Sequence, residues 1–196
     1  MSDAIKRLSV LLAAMAVMAG CASGGSYSKY QFFENPLNAA VARNTKTAKL
    51  YQQLDTIMIV DVIYNDMALR KAWVEQEARA RRLADDRKSA LLDEQEKEDE
   101  NTAQFVVALY TADEDWNDLD KKESRWSIFL KNDGDPVRPA SIEKVKPEKL
   151  KLRDNLPFSS SFRSFYLVSF PRERVTAKPF DLVMSGLLGE VKLGFE

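Results

Sequence analysis

The residue types that common enzyme chemistry needs are scarce in this chain. Its 196 residues include no histidine and a single cysteine, Cys21. Without histidine, Ser-His-Asp catalysis, Cys-His catalysis and the common zinc sites are excluded. Ser141 and Lys144 have the S-x-x-K spacing of a serine–lysine pair, but they lie in a strand-like segment and lack the S-D-N and K-T-G motifs that accompany it. Chance explains this spacing better, so no catalytic residue is predicted.

One acidic loop resembles the first half of a calcium-binding loop. Asp113, Asp115 and Asn117 place oxygen ligands at alternate positions, as at the start of a calcium-binding loop. Asp118 stands where such a loop has glycine, and Ser124 stands where it has glutamate. The sequence therefore predicts at most a weak calcium loop, and the alternative is a solvated acidic loop. No other metal and no cofactor is predicted.

The residues before Cys21 indicate export. Lys6 and Arg7 form a basic head, and the 12 uncharged residues 8–19 follow. Twelve residues rise about 18 Å as a helix, whereas a hydrocarbon core of about 30 Å needs about 20 residues. A basic head, a short apolar run and small residues at its exit are typical of a secretory signal.

The exit of this run, Met18-Ala19-Gly20-Cys21, resembles the lipobox of bacterial lipoproteins. The resemblance is confined to the signal and its cysteine. It implies that a diacylglycerol is attached to the thiol, that the signal is removed and that the new amino group is acylated. Because several acyl chains anchor a protein stably, the bilayer is the first predicted partner. The alternative is an ordinary secretory signal before a free thiol.

The same resemblance implies a location. Lipoproteins of this class with Asp after the cysteine stay at the inner membrane, and here the residue is Ala22. We therefore expect the protein on the periplasmic face of the outer membrane. A surface-facing orientation and a host with a single membrane are the alternatives.

Alternating and β-branched segments predict the elements of the remaining chain. Eight strands are expected, at residues 45–53, 56–64, 103–110, 125–130, 137–145, 162–170, 180–185 and 189–195. Residues 66–98 lack Gly and Pro and are rich in helix formers, which predicts one helix capped by Asn65 or Asp66. Such a helix is about 50 Å long, so we expect its acidic end to project or fray.

These elements predict a mostly β fold. We expect a β-sandwich, Ig-like or similar, of about eight strands with one long α-helix inserted at residues 66–98. Residues 1–20 are then the signal helix, residues 21–44 a lipidated tether and N-terminal segment, and residues 45–196 a single domain.

The predicted function is a membrane-anchored, non-enzymatic envelope lipoprotein. It would bind an envelope protein through the helix at residues 66–98 or through a sheet edge. Arg79, Arg81 and Arg82 each have an acidic residue four positions away, one helical turn along the chain. Because these carboxylates neutralise the arginines, a nucleic-acid partner is not predicted. One alternative is a hydrolase of cell-wall glycan that uses two carboxylates, although 30 acidic residues do not single out a pair. The other is a module that binds calcium or a small ligand.

Overall fold

The computed structural model describes residues 35–131, 134–158, 161–175 and 179–196. This part of the chain is mostly β, with eight strands in two antiparallel sheets and three helices, which confirms the predicted class. The strands are β1 (Thr45–Gln52), β2 (Asp55–Tyr64), β3 (Thr102–Thr111), β4 (Trp126–Lys131), β5 (Ser141–Val145), β6 (Ser164–Pro171), β7 (Phe180–Gly186) and β8 (Gly189–Phe195). The helices are α1 (Pro36–Asn44), α2 (Met67–Arg81) and α3 (Asp85–Asn101).

The larger sheet has the strand order β1-β2-β3-β6-β5, and the smaller sheet has the order β4-β7-β8. Successive residues of a strand point to opposite faces, so each strand of the larger sheet contributes to two surfaces. On one surface, Val62, Phe105 and Tyr166 are buried in a hydrophobic cluster that also contains Leu182 and Leu193 of the smaller sheet.

The opposite surface of the larger sheet is covered by helices. Ile63, Val106 and Phe165 belong to a second hydrophobic cluster, which also contains Leu37 of α1 and Leu69 of α2. The larger sheet therefore separates two cores, and the polar cluster described below lies at the margin of the second core.

All eight predicted strands are present, and two of them start two or more residues later than predicted. The fifth begins at Ser141, and Val137 forms only an isolated bridge to Leu130. The sixth begins at Ser164, so Phe162 lies outside it and is 86 % exposed. Phe162 has a left-handed φ of 62°, which interrupts the extended path before β6. Pro139, just before β5, has no N–H to donate to a neighbouring strand.

The prediction of a single long helix at residues 66–98 is wrong, because the segment forms two helices. The chain leaves the helical path at Arg82, which has the left-handed φ of 51° and donates its N–H to the carbonyls of Ala78 and Arg79. The helix α3 then folds back along α2, and Lys88 Nζ lies 2.5 Å from Glu75 Oε1. The predicted cap is confirmed at Asp66, whose carboxylate accepts the Leu69 N–H at 2.9 Å.

The acidic end of the helical segment does not project. Gln95 and Asp99 are 1 % and 9 % exposed, because this end of α3 packs beside the first turn of α2. The two helices therefore form an antiparallel αα-hairpin in place of a helix about 50 Å long. The hairpin packs against the larger sheet through Leu69 of α2.

The segment before β1 also contains a helix that the sequence did not predict. Leu37, Ala40 and Val41 of α1 are buried, and the compact unit of the described chain spans Pro36–Glu196. The predicted signal helix, the lipobox and Cys21 lie outside the described residues. In the described part of the chain, no helix has the length and apolar character that membrane crossing requires.

Candidate functional site

A cavity of about 140 Å³ lies where the helix hairpin meets the larger sheet. Arg70 and Trp73 reach it from α2, Gln95 and Glu98 from α3, and Gln104 from β3. The hairpin positions these residues, because the first turn of α2 faces the last turns of α3. The segment 149–152, which follows β5, closes the remaining side.

Arg70 is the centre of this site. Its side chain is 1 % exposed, and its guanidinium has partners for two of its three nitrogens. Nε donates to the Asn65 carbonyl at 3.0 Å, and Nη1 donates to Glu98 Oε2 at 2.8 Å. Nη2 is buried and has no hydrogen-bond partner. Since an unpaired buried donor of a charged group costs more than about 1–3 kcal/mol, Arg70 retains capacity for another acceptor.

Gln95, beside Arg70, is also only partly paired. Its Oε1 accepts a hydrogen bond from Arg70 Nη1 at 3.3 Å and another from Lys151 Nζ at 3.5 Å. Its Nε2 is buried without an acceptor. Two neighbouring buried groups therefore each present an unused N–H donor, and both side chains line the cavity.

Positive charge exceeds negative charge around these donors. Arg70, Lys149 and Lys151 line the cavity, and Glu98 is the carboxylate among its described lining residues. Asp99 lies 3.8 Å from Arg70 Nε. The three cations and two carboxylates leave an excess of one positive charge, so the site favours an anionic group.

A fourth cation approaches from the end of β6. Arg172 Nη2 lies 3.5 Å from Asp99 Oδ2, and Arg172 Nη1 donates to the Tyr64 hydroxyl at 2.7 Å. Burial raises the pKa of this tyrosine. Asp99 is thus shared between two arginines, which increases the local excess of positive charge.

The remaining walls of the cavity are apolar. Trp73, Val106, Leu150, Leu152 and Leu167 line it, and Lys151 Nζ lies 5.1 Å from the centre of the Trp73 ring. Apolar walls with a few converging polar groups are typical of small-ligand sites. This cavity can orient a small molecule or one protruding chemical group.

The structure does not gather the predicted calcium ligands. Asp113 caps a short 3₁₀ turn by accepting the Asp115 N–H at 3.0 Å, and both carboxylates lie on an exposed surface. Asn117 lines a different cavity, of about 490 Å³, together with Glu114. Among the residues that the structure describes, no group of three or more metal-binding side chains is found.

Ser141 and Lys144 also do not converge. They lie three residues apart in β5, so their side chains point to opposite faces of the sheet. Lys144 Nζ donates instead to the Asn117 carbonyl at 3.0 Å. A serine–lysine nucleophile is therefore not formed.

Sequence reasoning missed Arg70 and Gln95. One signal was present, because Arg70, Val74 and Ala78 are spaced by four residues and all three are buried on one face of α2. An arginine in register with an apolar face indicates a buried charge with partners. Its partners Gln95 and Glu98 lie on α3, and they reach Arg70 because α3 folds back along α2.

Comparisons of this chain with protein-family models, with curated proteins and with solved structures found no match.

Proposed function

We propose that this chain is a lipid-anchored, non-enzymatic binding protein of the bacterial envelope, and that its binding site is the Arg70 cavity. The single observation that carries the binding role is the cavity itself, which Arg70, Lys149 and Lys151 line together with apolar side chains. The anchor is supported by the lipobox resemblance at Met18-Ala19-Gly20-Cys21. The same resemblance supports the periplasmic face of the outer membrane as its location.

The body of this protein is proposed to be a β-sandwich, Ig-like or similar. One hydrophobic cluster contains Val60 and Phe105 of the larger sheet together with Ile128 and Met184 of the smaller sheet. A shared core between two antiparallel sheets supports face-to-face packing.

The helix hairpin and the segment 149–152 are proposed to form the contact surface around the cavity. The sequence predicted binding through a helix at residues 66–98 or through a sheet edge; the proposed surface keeps the helical segment, which folds back at Arg82. Lys149 and Lys151 are exposed at this margin, whereas Trp73 is partly buried there. An envelope component would place a protruding group in the cavity and rest on these side chains.

Hydrolysis of glycan is not favoured by this cavity. Such hydrolysis needs two carboxylates about 5–9.5 Å apart on either side of the bond. Glu98 is the carboxylate among the described lining residues, and it already contacts Arg70 at 2.8 Å and Lys151 at 3.8 Å. No second carboxylate of the described lining is available to complete the pair.

The anchor is tested by replacing Cys21 with serine in the full-length chain. We expect the wild type in the membrane fraction and labelled by a fatty-acid analogue, and we expect Cys21→Ser to lose the label. Ser23→Ala, two residues away, is the matched control and should keep it. Equal labelling of wild type and Cys21→Ser would contradict the proposed anchor.

The binding site is tested by affinity capture from detergent-solubilised native membranes. We expect one envelope component to be retained by the wild type and by Ser89→Ala, an exposed change in α3. We expect Gln95→Leu, which removes one unused donor, to lose that component. Retention of the same components by all three proteins would contradict a binding role for the cavity.

A further inference from the structure

We propose that the turns at one end of the two sheets dock on the bilayer surface, with Leu54 and Leu187 inserted among the lipids. Leu54 lies in the turn between β1 and β2, and Leu187 lies in the turn between β7 and β8. These two turns define the turn end of the sheets. The proposal rests on the lipid anchor of the proposed function and adds the orientation of the anchored body.

The exposed large apolar side chains in the described part of the chain all lie at this end. They are Tyr51, Leu54, Phe162, Leu187 and Leu188. Leu54 and Leu187 are almost completely exposed, so the fold gains no stability from their apolar character. Single exposed apolar residues are ordinary, whereas a group of them at one end indicates an interaction surface.

The path of β8 brings the two turns together. A Cβ added at Gly189, the first residue of β8, would lie 3.0 Å from Leu50 Cδ1, and Leu50 is four positions before Leu54. At the other end of β8, the Phe195 ring lies 5.9 Å from the ring of Tyr64, the last residue of β2. The turn before β8 is therefore beside the turn before β2.

Phe162 reaches the same end through the larger sheet. β3 runs antiparallel to β2 and pairs Thr111 with Met58, so β3 finishes at the turn end. β6 runs antiparallel to β3 and starts there, with Ser164 opposite Leu109. Phe162 precedes β6 by two residues and is two strands, or about 10 Å, from β2.

The form of the turn end favours lipid over a folded partner. Its apolar side chains stand on separate turns, and residues 51–54 and 186–189 carry no charge. A bilayer accepts such side chains one by one, whereas a folded partner needs a matching pocket for each. Trp116 and Leu188 line a cavity of about 250 Å³ behind the turn, and the Arg125 guanidinium carbon lies 5.7 Å from the Trp116 ring centre. Amphipathic rings and snorkelling arginines are typical of the membrane interface.

The chain before the described residues brings the bilayer within reach. Asn35, the first described residue, is 14 positions after Cys21. Such a length spans at most about 50 Å, whereas a strand of ten residues is about 33 Å long. An acylated Cys21 would hold the turn end near the bilayer at a high effective concentration, so contacts of a few side chains suffice.

Charge at the turn end does not select an anionic surface. Asp113 and Asp115 are exposed in the loop after β3, and Lys121 and Lys122 are exposed further along it. These opposite charges offset one another. Apolar contact, and not attraction to anionic lipid, is therefore expected to drive docking.

Docking gives the Arg70 cavity a direction. Asn65 directly follows β2, and Gln104 lies near the start of β3, so the cavity that both residues line is at the opposite end of the larger sheet. A docked turn end would direct this cavity away from the bilayer, toward the envelope component of the proposed function.

Quenching of a single dye by lipid tests the docking. Full-length Leu187→Cys carries a nitrobenzoxadiazole dye in vesicles of phosphatidylcholine and phosphatidylethanolamine, with and without lipids that bear a nitroxide quencher. We expect at least about twofold quenching at this position. The matched position is Glu173→Cys, which is exposed just after β6 at the opposite end and should not be quenched. The wild type, whose Cys21 would be alkylated, is the blank for dye attachment. Equal quenching at both positions would overturn the docking.

A second set of variants tests the role of the leucines. With the dye on Leu54→Cys, the combined change Leu187→Ser and Leu188→Ser should lower the ratio of docked to free protein about tenfold or more. Glu100→Ser, an exposed change at the end of α3, should leave this ratio unchanged. Unchanged quenching in the double serine variant would overturn the assignment. A blue-shifted emission at position 187 without quenching by lipid would mean that a protein covers the turn, and it would also overturn the assignment.

The outcomes separate this proposal from the proposed anchor. A protein that carries the fatty-acid label and floats with vesicles, but is quenched equally at positions 187 and 173, would overturn the docking alone. A floating protein without that label, quenched at position 187 only, would overturn the anchor and support the docking. A protein that neither carries the label nor floats would overturn both.

Discussion

Two buried arginine–carboxylate clusters lie on one face of the larger sheet, and they differ in how completely their atoms are paired. In the first, Arg163 pairs with Asp61 in the middle of β2, and Thr47 Oγ1 donates to the same carboxylate at 2.5 Å. The Phe158 ring lies 4.9 Å from the Arg163 guanidinium carbon. In the second, Arg70 contacts Glu98 and Asp99 and still has an unused nitrogen.

This difference separates a structural ion pair from the cluster that we propose as part of a binding site. In the described part of the chain, no buried side-chain atom of Asp61 or Arg163 lacks a partner, and one cation faces one carboxylate. The Arg70 cluster has more cations than carboxylates, and Arg70, Gln95 and Glu98 are among the residues that line a cavity. A buried cluster that serves only stability would be expected to pair its donors.

The largest expected effect on stability is that of Arg70→Met. The change leaves Glu98 and Asp99 without their central cation, and breaking a buried pair in this way costs about 3–5 kcal/mol of unfolding free energy. Urea unfolding followed by circular dichroism measures it. Arg79→Met is the control, because Arg79 is exposed on the same helix. A loss below about 1 kcal/mol would show that the cluster does not depend on Arg70.

The next effect is that of Asp61→Ala, at about 3 kcal/mol, the lower end of the same range. It is smaller because the Arg163 side chain is 14 % exposed and can turn toward water. The double change Asp61→Leu and Arg163→Met should recover most of this loss, since an apolar pair replaces a closed ion pair. If the double variant is less stable than Asp61→Ala, the Asp61–Arg163 pair has further partners. It would then not differ from the Arg70 cluster in the way described above.

Tyr166 lies outside both arginine clusters and is expected to contribute to the loss of stability at alkaline pH. Tyr166 is fully buried, and burial raises its pKa to about 12, above the value of about 10 in the unfolded chain. Between these pH values the unfolded chain loses the proton and the folded chain keeps it. Stability should therefore fall by about 1.4 kcal/mol per pH unit as pH rises from 10 to 12.

Tyr166→Phe should flatten this alkaline limb relative to the wild type. Urea unfolding at a series of pH values measures the difference, and Tyr51→Phe, at an exposed tyrosine, is the control. A limb of the same slope in Tyr166→Phe and wild type would mean that other groups cause the loss.

The strands could be predicted from the sequence because their pattern is local. The run of β-branched residues predicted β2, and the hairpin signal around residues 186–189 predicted β8, each within two residues of its ends. The break between α2 and α3 could not be predicted, because Arg82 adopts a left-handed conformation that costs a non-glycine residue about 1–2 kcal/mol. Contacts that form only after folding, such as Lys88 with Glu75, accompany this conformation.

The candidate site was predictable only in part, because its residues are far apart in the sequence. The four-residue spacing of Arg70 and Val74 indicates a buried arginine, but the partners Gln95 and Glu98 lie 25 and 28 residues further along the chain. A continuous helix would have placed these partners tens of ångströms away. The fold back at Arg82 is thus what creates the site.

The smallest expected effect on stability is that of Gln95→Leu, within about 1 kcal/mol of the wild type. The change removes the acceptor for Arg70 Nη1, which still contacts Glu98, and it also removes a buried donor that has no partner. These two contributions oppose each other, so urea unfolding should show little change while affinity capture of the envelope component is lost. A loss of about 3 kcal/mol would place Gln95 among the structural partners of Arg70, and the distinction between the two arginine clusters would then fail.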